Sequence, residues 1–135
     1  MNQVKKDNNR KILPVWQGKV LLIVEDEDHN YTYIHEIMKR TRVTMIRAET
    51  GEDAIQLFRD NEVDLVLMDI KLPDMDGYKA TREVKKLKAD IPVIAQTAYA
   101  MVQEREKCLQ AGCDDYISKP YDPDMLISLV GKYLK

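Results

Sequence analysis

From Lys19 to the end of the chain, short unbroken apolar runs alternate five times with stretches of helical period. No other feature restricts the fold as strongly. Val20–Val24, Val63–Met68 and Ile91–Gln96 are apolar almost throughout, as strands covered on both faces are. Val43–Ala48 reads as a second strand, with Arg42 and Arg47 suiting a sheet edge, and Asp115–Ser118 as a short fifth. Between them, Tyr31, Ile34 and Met38 repeat at helical spacing. Ala54, Ile55 and Phe58 do the same after Gly51-Glu52, as do Ala80, Val84 and Leu87. Val102, Arg105, Cys108 and Leu109 outline a fourth helix closed by Gly112, and Leu126, Leu129, Val130 and Tyr133 a fifth. Strict strand–helix alternation predicts an α/β domain with a parallel sheet and helices on both faces. In such sheets the ligand crevice lies beyond the carboxyl ends of the strands.

Residues 1–18 are expected to be a polar leader or linker, with the domain proper over 19–135. Lys5 to Lys11 is almost wholly charged or polar, a composition that cannot order itself alone. Trp16 is expected to pack on the domain edge. At 135 residues the chain is long enough for one core without staples. A net charge of -2 provides no basic field for nucleic acid or acidic membrane surfaces. The longest apolar run, Val20–Val24, is far short of the roughly 20 residues a membrane span needs. There is no secretory h-region, so the expected location is cytoplasmic. Cys108 and Cys113 form no disulfide framework or zinc site and are expected to be free thiols.

The strand ends carry the chemistry. The first strand ends in Glu25-Asp26, the third in Asp69 and the fourth in Thr97, and the fifth is followed by Lys119-Pro120. If the strands are parallel, these side chains converge on one rim. Carboxylates gathered there repel one another unless a cation sits among them. A hard divalent ion such as Mg²⁺ suits the set, because it takes oxygen ligands and binds through a few carboxylates plus a phosphate. Lys119 and Thr97 are suited to hold oxygens of a transferred phosphoryl group.

The stretches LLIVEDEDHN, LVLMDIKLPDMDGY, PVIAQTAYA and AGCDDYISKPY, in this order, resemble the receiver domain of two-component response regulators over roughly residues 19–135. The resemblance implies a flavodoxin-like (βα)5 doubly wound sandwich with a five-stranded parallel sheet of order 2-1-3-4-5. It implies that Asp69 is the phosphoacceptor and that Asp26, Asp69 and the main-chain carbonyl of Lys71 ligate Mg²⁺, with Glu25 acting through a bound water. Thr97 is then the switch hydroxyl, Tyr116 the aromatic switch residue, Lys119 the phosphoryl-pairing lysine, and Lys119-Pro120 a cis peptide. Lys71 and Tyr99 flank the path of attacking water, which implies slow loss of the phosphoryl group. The implied partner is a histidine kinase or a histidine phosphotransfer protein. WQGKVLLIVEDE and TAYAM resemble receivers of hybrid kinases, so a hybrid-kinase fragment is favoured over a stand-alone receiver or relay intermediate.

Other signals have plainer readings. Leu72 to Gly77, with Glu83, nearly fits a calcium-loop spacing, but Leu72 holds the first ligand position, and a Pro/Gly turn into the third helix is expected. His35 reads as a surface histidine, and Asn30-Tyr31-Thr32 as a chance sequon at a helix start. A haloacid-dehalogenase-type aspartyl-phosphate phosphatase is the alternative function. It needs an acid two residues after the nucleophile, where this chain has Lys71. Flavin binding needs a hydroxyl- and glycine-rich phosphate loop where this chain has EDEDHN.

Overall fold

The structure is a computed structural model and describes residues 3–6, 12–98 and 102–134. Two short strands, β1 (Gln3–Lys6) and β2 (Ile12–Val15), come first. Then follow β3 (Val20–Val24), α1 (Asp28–Met38), β4 (Thr44–Ala48), α2 (Gly51–Asp60) and β5 (Leu65–Asp69). The chain continues through α3 (Gly77–Leu87), β6 (Val93–Thr97), α4 (Val102–Ala111), β7 (Asp115–Ser118) and α5 (Pro123–Gly131). A five-stranded sheet runs β4-β3-β5-β6-β7, every pair parallel. Counted from Val20, this is the order 2-1-3-4-5, and the chain has the flavodoxin-like α/β fold.

Alternation along the strands divides the core in two. Leu21, Ile23, Leu65, Leu67, Ile94 and Ile117 pack under α1 and α5, against Ile34, Met38, Leu126 and Val130. Leu22, Val24, Val66, Met68, Val93 and Ala95 pack on the other face, against Phe58, Ala80, Val84 and Cys108 of α2, α3 and α4. A period of two in each strand and a crossover helix after each one leave no other way to bury both faces.

Helix starts follow from local chemistry. The side chains of Thr50, Asp76 and Asp122 accept from the amides of Asp53, Lys79 and Met125 at 3.0, 2.8 and 2.8 Å. Pro123 opens α5, where its missing N–H costs nothing. Gly112 follows α4 at φ 96°, a left-handed position that glycine adopts without a Cβ penalty.

Within the segment expected to be a polar leader or linker, residues 3–6 and 12–15 pair as an antiparallel hairpin, with Pro14 opposite Val4. Leu13 and Trp16 are buried, and the Trp16 amide donates to Thr41 O at 2.7 Å. The segment does not have to order itself alone, because a folded body offers it a docking surface. Pro14 is tolerated because β2 pairs on one side only. One expectation is corrected: Arg42 lies before β4, not on it. It turns the chain at φ 64° after the short helical turn Lys39–Thr41. Arg47 is on β4 and at the sheet edge.

Candidate functional site

The parallel strands bring the expected residues to one rim. Glu25 is the first residue past β3 and is fully buried, Asp26 beside it is exposed, and Asp69 closes β5 at 6% exposure. One carboxylate oxygen from each of the three lies within 4.8 Å of the others. Thr97 closes β6 and is buried. Lys119 follows β7 and reaches across the end of β6. Its Nζ is 3.2 Å from Glu25 Oε1 and 3.2 Å from Asp69 Oδ2. The amides of Glu27 and Lys71 donate to the remaining oxygens, Glu25 Oε2 at 3.2 Å and Asp69 Oδ1 at 3.1 Å. These groups line a cleft of about 510 Å³.

Burial pushes the Glu25 carboxyl up to about 7, with the neighbouring Asp69 charge adding to the rise and Lys119 opposing it. Burial alone would lower the Lys119 pKa, but Asp69 and Glu25 outweigh it and the net shift is upward. Two of the three carboxylates, Glu25 and Asp69, thus share one lysine at a partly buried rim. Such an oxygen set, with an exposed member in Asp26, fits a hard divalent cation.

The loop after β5 is held from two sides. Asp74 was not among the residues expected to matter, yet its carboxylate accepts from Gly51 N at 2.8 Å and Glu52 N at 2.9 Å. It thereby ties the loop to the start of α2, and these amides hold its pKa down against the upward push of desolvation. No local spacing signals this contact, because Asp74 and Gly51 are 23 residues apart. On the other side the Gly77 amide donates to Ile70 O at 2.7 Å. A Cβ on Gly77 would collide with the main chain of Asp69 and sit 2.7 Å from Ile70 Cα. Gly77→Ala is therefore expected to cost about 1–3 kcal/mol, the usual range for overpacking a close contact. A urea midpoint equal to that of the wild type refutes the close approach.

Other residues named from sequence are placed as follows. Tyr116 is half-buried on β7, packed against the α2–α4 side of the core. The Lys119-Pro120 peptide is cis. The Lys71 side chain is exposed, and Tyr99 lies outside the described residues. Cys108 and Cys113 are both buried, and burial pushes the Cys113 thiol up to about 12. Thiols so protonated are inert structural groups. His35 is partly exposed beside the Tyr31 ring, and Leu72–Asp76 is a turn leading into α3. Sequence reading passed over Gln96 and Tyr121, a buried polar pair in which the Tyr121 hydroxyl donates to Gln96 Oε1 at 2.8 Å.

A doubly wound parallel sheet with this acidic rim defines a class, the α/β signalling modules of two-component systems. The chain belongs to the response regulator receiver domain family, whose model matches residues 21–131. It is 37% identical over 118 residues to the polar-differentiation response regulator DivK of Brucella ovis, an alignment covering 86% of this chain and 96% of that protein. It also resembles the receiver domain of a sensor histidine kinase from Pseudomonas aeruginosa, solved with a magnesium ion in its active-site cleft. The TM-score is 0.81 at 34% identity, over 87% of this chain and 98% of that one. A CheY-like receiver domain protein from Methanospirillum hungatei matches with TM-score 0.81 and 30% identity, over 86% and 93% of the two chains. The family is one of signalling modules, not turnover enzymes. Among the described residues, no helix is long and apolar enough to cross a membrane.

Proposed function

We propose that Asp69 accepts a phosphoryl group from the phosphohistidine of a histidine kinase or phosphotransfer protein. The observation that carries this reading is the Lys119 ammonium lying 3.2 Å from both Glu25 and Asp69, with Asp26 completing the acidic set. An Asp69 oxygen bonds to phosphorus as the phosphorus–nitrogen bond to imidazole breaks, and the leaving imidazole keeps the nitrogen electron pair and takes a proton. Lys119 holds the acceptor in place and balances charge on the phosphoryl oxygens, while positioning supplies most of the remaining help. Glu25, Asp26, Asp69 and the main-chain carbonyl of Lys71 are the groups to hold Mg²⁺, and the ion, when bound, supplies neutralising charge for phosphoryl oxygens. The magnesium-bound Pseudomonas relative, 34% identical, supports this assignment. The receiver unit begins at Lys19, after the hairpin. Acceptance and loss of the phosphoryl group are the receiver's own chemistry, carried out on its own Asp69 with the phosphohistidine as donor.

Ligand binding to the native state alone raises stability by mass action. Mg²⁺ is therefore expected to raise the melting temperature of the wild type and leave that of Asp26→Ala unchanged. Equal shifts in the two proteins refute the metal site.

Thr97 is the group to follow the phosphoryl oxygen, with Tyr116 filling the space behind it. Thr97 pairs in register with Ser118 and Ala95 with Tyr116, so the two switch residues sit on neighbouring strands. Phosphorylation then shifts the population between two packings of one surface, α4–β7–α5. Amide NMR shifts on binding beryllofluoride, a phosphoryl stand-in, are expected to extend to α4 and β7. Shifts confined to the rim sink the coupling.

A further inference from the structure

Gln96 is polar and yet fully buried. On β6 it stands in register with Asp69 of β5 on one side and Ile117 of β7 on the other. Ile94 faces the α1–α5 core and Ala95 the opposite one, so alternation turns Gln96 toward α1 and α5. There it meets Tyr121, whose hydroxyl donates to Gln96 Oε1 at 2.8 Å. Tyr121 is itself held: its carbonyl accepts from the Tyr33 hydroxyl at 2.6 Å, and the two rings lie 5.9 Å apart.

The Tyr121 bond sets which way the Gln96 amide points. Its other end, Nε2, is buried and has no hydrogen-bond partner among the described residues. An unmatched buried donor costs about 1–3 kcal/mol, and a methionine of the same length would fill the space without it. Gln96 lines the same cleft as Glu25, Asp69 and Lys119. Lys119 crosses the end of β6 to reach both carboxylates, which places Gln96 beneath the crossing. The carboxylates have capacity left. Each is bonded here by one amide and by Lys119, whereas a carboxylate offers about four lone-pair sites. Unused donor and unused acceptors therefore share one cleft.

We propose that Gln96 is a positioning residue for phosphoryl acceptance: its Nε2 donates to the buried side of the Glu25–Asp69 carboxylate pair when the cleft tightens around the phosphoryl group, and Tyr121 sets the amide's orientation. A donor bonded to an ionised acceptor is stronger than a neutral pair, so the bond forms where it helps most. The inference rests on Asp69 being the acceptor.

The test compares wild type, Gln96→Met, Tyr121→Phe and the double variant, phosphorylated by acetyl phosphate at saturating Mg²⁺. Gln96→Met is expected to lower the maximal rate constant about fivefold, the worth of one net hydrogen bond, with the half-saturating acetyl phosphate unchanged. Tyr121→Phe lowers it by a smaller factor, and the double variant is no slower than Gln96→Met. In the wild type, the Gln96 side-chain amide protons move downfield in the NMR spectrum when beryllofluoride binds. If Gln96→Met does not fold, Tyr121→Phe and the wild-type amide spectrum decide. Single variants within twofold of a phosphorylated wild type, or amide protons that stay put, overturn the proposal. A wild type that takes no phosphoryl group sinks the reading of Asp69 itself, and this inference with it.

Discussion

Asp69→Asn protein incubated with acetyl phosphate and Mg²⁺ is expected to gain no mass, whereas the wild type gains a single phosphoryl group on Asp69. Asp69 is the carboxylate at the centre of the rim, on β5, between Glu25 on the β3 side and Thr97 and Lys119 on the β6–β7 side. Asn keeps the size and still accepts from the Lys71 amide, so the loop after β5 is preserved. It lacks the negative oxygen that attacks phosphorus and removes one of the two carboxylates that Lys119 faces. Glu25 and Asp26 remain in place and cannot substitute, because Glu25 is fully buried and Asp26 makes no contact with Lys119 within ion-pair distance. Intact-mass spectrometry reads the result directly. A phosphorylated Asp69→Asn protein would falsify the assignment.

Metal-free wild type is expected to lose stability relative to Glu25→Gln as the pH rises from about 4.5 to about 7, and no further above that. Below 4.5, Glu25 is protonated in both the folded and the unfolded chain, so its stabilising contribution is complete. Between the two values the unfolded chain releases its proton and the folded chain keeps it, which favours unfolding. Above 7 both states are ionised. A rise from 4.5 to about 7 corresponds to a difference on the order of 3 kcal/mol at pH 8. Glu25→Gln keeps the buried shape without the charge and should be the more stable protein at pH 8 in the absence of Mg²⁺. Urea unfolding of both proteins at pH 4, 6 and 8 measures it. Parallel pH dependences refute the burial argument.

The repeating unit of strand and helix was fully legible. Val20–Val24 and Asp115–Ser118 begin and end where their apolar and turn residues place them, the first buried on both faces and the second a short edge strand in which Ile117 alone is buried. The third and fourth strands sit one or two residues later than their apolar runs, at Leu65–Asp69 and Val93–Thr97. Asp69 and Thr97 belong to the ladder, and no hydrophobic pattern extends a strand into polar residues. The rim residues could be named because each closes a strand or directly follows one, and parallel strands end together. What spacing could not show was tertiary. The hairpin depends on a docking surface built by Thr41 and α5, far along the chain. Asp74 works on the start of α2 and Tyr121 on β6, and nothing in their neighbourhoods announces either partner. Gln96 did carry a signal. A glutamine inside an otherwise apolar strand, on the same face as Ile94, must find a polar partner or stay unmatched.

Trp16 is the chain's only tryptophan, and it lies at the amino-terminal end of the sheet, 2% exposed and beside Gly131. The acidic rim is at the opposite end, a strand length or roughly 15 Å away. The intrinsic indole emission therefore monitors loss of the hairpin and the α1–α5 core without direct quenching by whatever occupies the cleft. A fluorescence melt of this protein measures folding alone, so a change in its midpoint on adding a ligand is an energetic signal, not an optical artefact of binding.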